Sequence, residues 1–230
     1  MARGRGARER SGLAWGADAW ELKSDYLRSL ERFAQVRGVS LERVFDSGRA
    51  AASGVLREAA TVPHERLPSL ARLPGFFVEL DETPRADPDP RFFLELARKR
   101  GTAVDQEFFT LLERTWWVDG TRRVYTVPLS DTSSCHVFDH PDVEPLYRNW
   151  TRLWATHPRA YTAWVEREIQ ALEDGVARST CACGDRESVE AGLERFLKSF
   201  PRSPVAPDVR SRLERVRAGT REVRFRCQPG

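Results

Sequence analysis

The 230-residue chain is poor in lysine, with Lys23, Lys99 and Lys198 as the whole set, and arginine carries nearly all of its positive charge. It also lacks any apolar run of membrane-spanning length, any signal-peptide core behind its opening residues, any glycine loop that would cradle phosphate, and any catalytic or metal-ligand motif of standard spacing. The first absence leaves no candidate transmembrane helix. Taken with the second, it makes a cytoplasmic protein the expectation for the sequence as it stands. The third removes the nucleotide-binding fingerprints. The last leaves no reaction type to read directly, so the sequence leans away from an enzyme.

The formal net charge is +3, and Arg3, Arg5, Arg8 and Arg10 less Glu9 already account for it within ten residues. The remaining chain is balanced. A nucleic-acid binder needs a basic stripe on its folded body to displace counterions, so nucleic acid is not an expected partner. The arginine bias suits recognition of carboxylate or phosphate by planar guanidinium groups. A G- and C-rich genome produces the same bias, and alternation of Arg with Glu and Asp along helix faces makes that the simpler account.

Residues 1–16 are polar and glycine-broken and read as a disordered tail, which leaves 17–230 as a single helical domain. Such an opening is also what a misassigned start or a missing leader would leave, and in that case a periplasmic or secreted location is expected. Asp18 can cap a first helix carrying Leu22, Tyr26, Leu30 and Phe33 at helical spacing, ended by Gly38. Ser40 caps a second helix, weakened by Gly48 and Gly54, that forms a hairpin with the first. Between Pro63 and Pro90 six prolines punctuate the chain; Phe76 to Leu80 predicts a short strand and the acidic stretch 81–89 an exposed loop. Asp89-Pro90 opens a helix that Gly101 ends in the left-handed conformation. Another starts at Thr102, and Asp119-Gly120 either ends it or turns a hairpin into Val124 to Val127.

Two segments of the C-terminal half share one plan: amphipathic helix, proline break, second helix, glycine, and an extended stretch ending in cysteine. The first runs through Leu153, Trp154, Pro158, Val165, Ile169, Leu172, Gly175 and Cys183, the second through Phe196, Leu197, Pro201, Val209, Leu213, Val216, Gly219 and Cys227. The offset is 43 residues up to the proline and 44 after it, as one residue inserted beside Pro204 would produce. These units predict a hairpin pair over 141–227. The fold class expected is mainly α, with helical hairpins packed in one domain and a few short strands. The stretch from Phe196 to Leu213 resembles a tetratricopeptide-type hairpin of the form found in bacterial envelope proteins, departing from that family in period and in lacking a third copy. The resemblance implies helical stacking and partner binding, and no catalytic residues.

Cys135, Cys181, Cys183 and Cys227 form an even set. A Cys181–Cys183 bond would close a strained ring, so the expected schemes join each of these two to Cys135 or Cys227. The alternative is a zinc site, because His136 and His140 share a loop with Cys135 and could meet Cys181, Cys183 and Cys227. Cys-x-Cys is shorter than the usual ligand spacing. A catalytic Cys135 with His136 or His140 as its base is a third reading, and Asp139, His140 and Asp142 are more simply read as capping a helix start.

Tyr147, Trp150 and Trp154 follow one helix face, with Tyr161 and Trp164 continuing beyond Pro158. Core packing is the plain reading and a binding groove the sharper one. Glu166, Glu168 and Glu173 read as a solvated face. The leading functional expectation is a non-catalytic, extracytoplasmic, disulfide-braced bacterial protein that acts through protein contacts and has no resident cofactor. The alternatives are a small hydrolase with its site among Asp131, Cys135, His136, Asp139 and His140, and a cytoplasmic zinc-binding interaction module.

Overall fold

Asp18 does cap the first helix: its carboxylate accepts from the Glu21 amide at 2.7 Å, and α1 runs Ala19–Gln35. The computed structural model describes residues 18–36, 39–59, 61–62, 65–80, 84–117, 122–130, 133–220 and 223–228, so the expected tail 1–16, Gly38, Asp119-Gly120 and Asp131 lie outside the described residues. Helix α2, Leu41–Glu58, packs back on α1 as a hairpin. The glycines that weaken α2 by propensity are what let the two helices approach. A Cβ at Gly48 would lie 2.8 Å from the Tyr26 ring and 2.4 Å from that of Phe76, and one at Gly54 would lie 3.3 Å from the Ala19 Cα.

After the short α3, Leu67–Ala71, strand β1, Phe76–Glu79, pairs antiparallel with β2, Arg85–Pro88. The stretch 81–89, expected as an exposed loop, therefore contains a strand, because Ala86 and Pro88 pair opposite Val78 and Phe76 and are drawn inward. Helix α4, Pro90–Arg100, starts at Asp89, whose side chain accepts from the Arg91 and Phe92 amides. Gly101 is not left-handed as expected: its φ is −75°. The chain needs no reversal there, since Thr102 begins α5, Ala103–Thr115, at once through a capping box with Asp105.

Strands β3, Thr126–Ser130, and β4, Ser133–His136, form a second antiparallel pair. Two helix pairs follow: α6, Val143–Thr156, with α7, Thr162–Arg178, and α8, Arg186–Ser199, with α9, Ala206–Arg217. The molecule is mainly α, with two small two-stranded sheets among the described residues.

The repeated plan is visible in the backbone. His157 and Phe200 close α6 and α8 with nearly the same angles (φ −134°, ψ 62° and 59°). Ala160 then donates to the His157 carbonyl as Ser203 does to that of Phe200. Beyond this point the offset becomes 44, with Tyr161 and Val205 as the equivalent N-caps. The second unit uses the extra residue to complete its turn, whereas the first closes it by holding Tyr161 left-handed at φ 51°. Tyr161 is secured there by its amide donating to Glu42 and its hydroxyl to Asp105 at 2.6 Å, and its ring stacks on Phe108 at 3.7 Å. Gly219 is the left-handed stop after α9, but Gly175, expected to end α7, lies inside it. Buried apolar side chains form one contiguous cluster from Ala19 to Val223, with Phe45 against Phe93, Phe109 and Trp164 near its centre.

Candidate functional site

Cys135 and His136, expected in a loop, lie on β4, which extends into a larger array. His136 donates through its amide to the Cys181 carbonyl at 2.9 Å and accepts from the Cys183 amide at 3.1 Å, so residues 181–183 run parallel to β4. Residues 224–227 run parallel on their far side, with the Ala182 amide on the Arg224 carbonyl at 2.8 Å and the Cys227 amide on that of Ala182 at 2.9 Å. Four extended segments thus lie side by side, two being the trailing ends of the two helix pairs. Disulfides join neighbouring segments, Cys135 to Cys183 and Cys181 to Cys227, with Cα separations of 5.1 and 6.0 Å. Of the two schemes left open by the spacing, the chain adopts this one.

His136 points from this array into the interior and is 4% exposed. Its ring lies 5.3 Å from that of Tyr125 and 4.8 Å from that of Phe138. Against α7 it occupies the space that a side chain at 175 would fill, since a Cβ there would fall 2.4 Å from its Cε1. This is why α7 carries glycine. Burial pushes the imidazole pKa down to about 3, assisted by the positive Arg212 and by His140. Burial raises the Tyr125 phenol, the nearby Arg123 pulling in the opposite direction. Tyr125 Oη and His136 Nε2 are buried and find no hydrogen-bond partner among the described residues. Both line a cavity of about 380 Å³ with Arg123, Gly175 and the Asp174–Arg178 ion pair.

Behind that cavity Arg123 grips Glu168, Nε donating to Oε2 at 2.8 Å and Nη2 to Oε1 at 3.3 Å. Glu168 is wholly buried, so the expected solvated face is wrong at this position. The sign was in the sequence: Glu168 falls four residues after Trp164 and four before Leu172, on the inward stripe of α7. Burial opposes the Arg123 charge, but Glu168, Tyr125 and Asp87 together outweigh it and hold the guanidinium above its ordinary pKa.

The other predicted positions separate. His140 sits in the turn before α6, its Nδ1 accepting from the Asp142 amide at 3.2 Å. Asp142 starts α6 without a side-chain cap bond, its carboxylate lying 3.6 Å from Arg114. The bond to Cys183 leaves Cys135 no thiol to ionise, and the lowered pKa makes His136 a weak base, so the expected nucleophile of this pair is tied up in the disulfide. Among the described residues no group of three His, Cys, Asp or Glu side chains is placed to hold a metal ion.

Of the aromatic stripe, Trp150 is fully buried with its indole donating to Thr115 and offers no face to a ligand, whereas Trp164, 4% exposed, borders a recess with Trp116, Arg49 and Arg167. Trp150 and Trp164 both sit on the inward side of their helices, where apolar burial outweighs exposure. Tyr147 and Trp154 do border a groove of about 600 Å³ between α6, α7 and the turn at Pro204, where the Tyr147 hydroxyl is held by Glu173 at 2.7 Å.

No protein-family model, no curated protein and no solved structure matches the chain. No described helix is long and apolar enough to cross a membrane.

Proposed function

We propose that the protein is a non-catalytic, disulfide-braced binding protein of an oxidising, extracytoplasmic compartment, acting through contacts with a protein partner. The observation that carries this reading is the pairing of all four cysteines in two bonds that stitch three sections of chain into one small array. Such bonds persist where the surroundings are oxidising and are rare where glutathione keeps thiols reduced. The bonding of the Cys135 sulfur to Cys183 leaves the hydrolase alternative without its nucleophile and so supports binding over hydrolysis. The contiguous apolar cluster supports treating 17–230 as one working unit.

The test is a thiol count on the denatured, unreduced protein together with a zinc assay. Close to zero thiols and no zinc are expected. Four titratable thiols, or one zinc per chain, would overturn the reading in favour of the metal-binding interaction module.

A further inference from the structure

On the other side of Arg123 from the Tyr125–His136 cavity lies a recess of about 330 Å³ whose polar lining is mostly donors. Arg49 from α2, Arg123 from the segment before β3, and Arg167 from α7 all reach it, beside the indoles of Trp116 and Trp164. The guanidinium carbons of Arg167 and Arg49 lie 3.6 and 4.6 Å from the Trp164 ring centre, and that of Arg123 lies 4.9 Å from the Trp116 ring centre. Flat cations set against flat rings are held in orientation. The indole N–H groups of Trp116 and Trp164 are buried and find no hydrogen-bond acceptor among the described residues. Burial lowers the Arg167 pKa; Glu168 opposes that fall, and the like charges of Arg123 and Arg49 add to it.

Two carboxylates share the site. Glu168 is bonded to Arg123 and lies 3.6 Å from Arg167, and Asp87 lines the same recess. The partner of Arg49 is Asp46, at 3.6 Å with 61% of its side chain exposed, where water screens the pair. With Asp46 outside the lining of the recess, three guanidinium groups against two carboxylates leave one positive charge in excess among the described residues, with donors unused by them and aromatic walls. We infer that this recess binds a single monocarboxylate group, held by the guanidinium groups of Arg49 and Arg167 between the indoles of Trp116 and Trp164. A dianionic phosphate would carry more charge than the excess matches. The inference deepens the protein-contact reading and rests on it for its source, the acidic side chain of a partner; a free organic acid is the other source of the same chemistry.

The experiment titrates the intact, oxidised protein with benzoate, with the blocked peptide acetyl-Gly-Glu-Gly-amide, and with inorganic phosphate at matched ionic strength, following tryptophan fluorescence and heat. Saturable one-to-one binding of at least one carboxylate is expected, tighter than phosphate and weakened by salt. Arg49→Gln and Arg167→Gln each leave the Arg123–Glu168 pair in place and should weaken that binding about tenfold, as loss of a charged hydrogen-bond donor does. An unchanged melting temperature in either variant shows that the fold is retained. No saturation by either carboxylate, equal affinity in wild type and both variants, or tighter binding of phosphate overturns the proposal. Saturation by benzoate without the peptide sustains the carboxylate site and counts against a protein partner, and the thiol count tests the compartment independently of all three titrations.

Discussion

Arg123 and Glu168, 45 residues apart in sequence, meet as a fork on a carboxylate that has no exposure to solvent. Removing one member leaves the other charge buried. Arg123→Met is therefore expected to cost about 3–5 kcal/mol, whereas the double variant Arg123→Met/Glu168→Leu should recover most of that loss. Urea denaturation of the two single variants and the double variant measures the coupling, and additive losses would show that the pair is not coupled.

The two disulfides close overlapping loops with sequence separations of 48 and 46 residues. Cys135→Ala/Cys183→Ala and Cys181→Ala/Cys227→Ala should each lower stability by about 2–4 kcal/mol. Proteolytic peptides separated without reductant should pair Cys135 with Cys183 and Cys181 with Cys227; linkage of Cys135 to Cys181 would contradict the array.

Gly175→Ala reverses an ordinary expectation. In an exposed helix interior the change gains about 1 kcal/mol. Here the new methyl meets His136, and a net loss of about 1–3 kcal/mol is expected from overpacking. Gly175→Ala/His136→Ala relieves the collision, so thermal melts of the double variant should show the alanine at 175 to be harmless or favourable.

His136 also gives stability a pH dependence whose sign is fixed. Its folded pKa, about 3, lies below its ordinary value of 6.5, so below pH 6.5 the unfolded chain takes up a proton that the folded chain refuses. The contribution is intact above pH 6.5 and is lost as pH falls toward 3, at up to about 1.4 kcal/mol per pH unit. His136→Gln should flatten that slope between pH 6.5 and 4 in urea melts, the carboxylates remaining as common background. Equal slopes in the two proteins would place the imidazole in contact with water.

Local signals were legible where one or two residues decide the backbone. Asp89-Pro90, the helix start at Thr102 and the 43-to-44 shift at Pro204 each mark a boundary that the chain uses. Array and cavity were not legible, because β4 is four residues long with two serines and its pairing comes from segments that follow whole helices. Glu168 and Gly175 misled for one reason: each violates a local preference to suit a distant side chain, Arg123 in one case and His136 in the other. The recess is more remote still, since its three arginines come from α2, the β3 approach and α7, and no spacing brings them together.

The overlap of the covalent loops governs how the molecule fares once its backbone is cut. Cys181 lies inside the loop closed by Cys135–Cys183, while Cys183 lies inside the one closed by Cys181–Cys227. Any single peptide cleavage between Cys135 and Cys227 therefore leaves the pieces tethered by at least one bond. A protease that nicks a surface turn among α6 to α9 releases nothing, and the two pieces remain joined at the array.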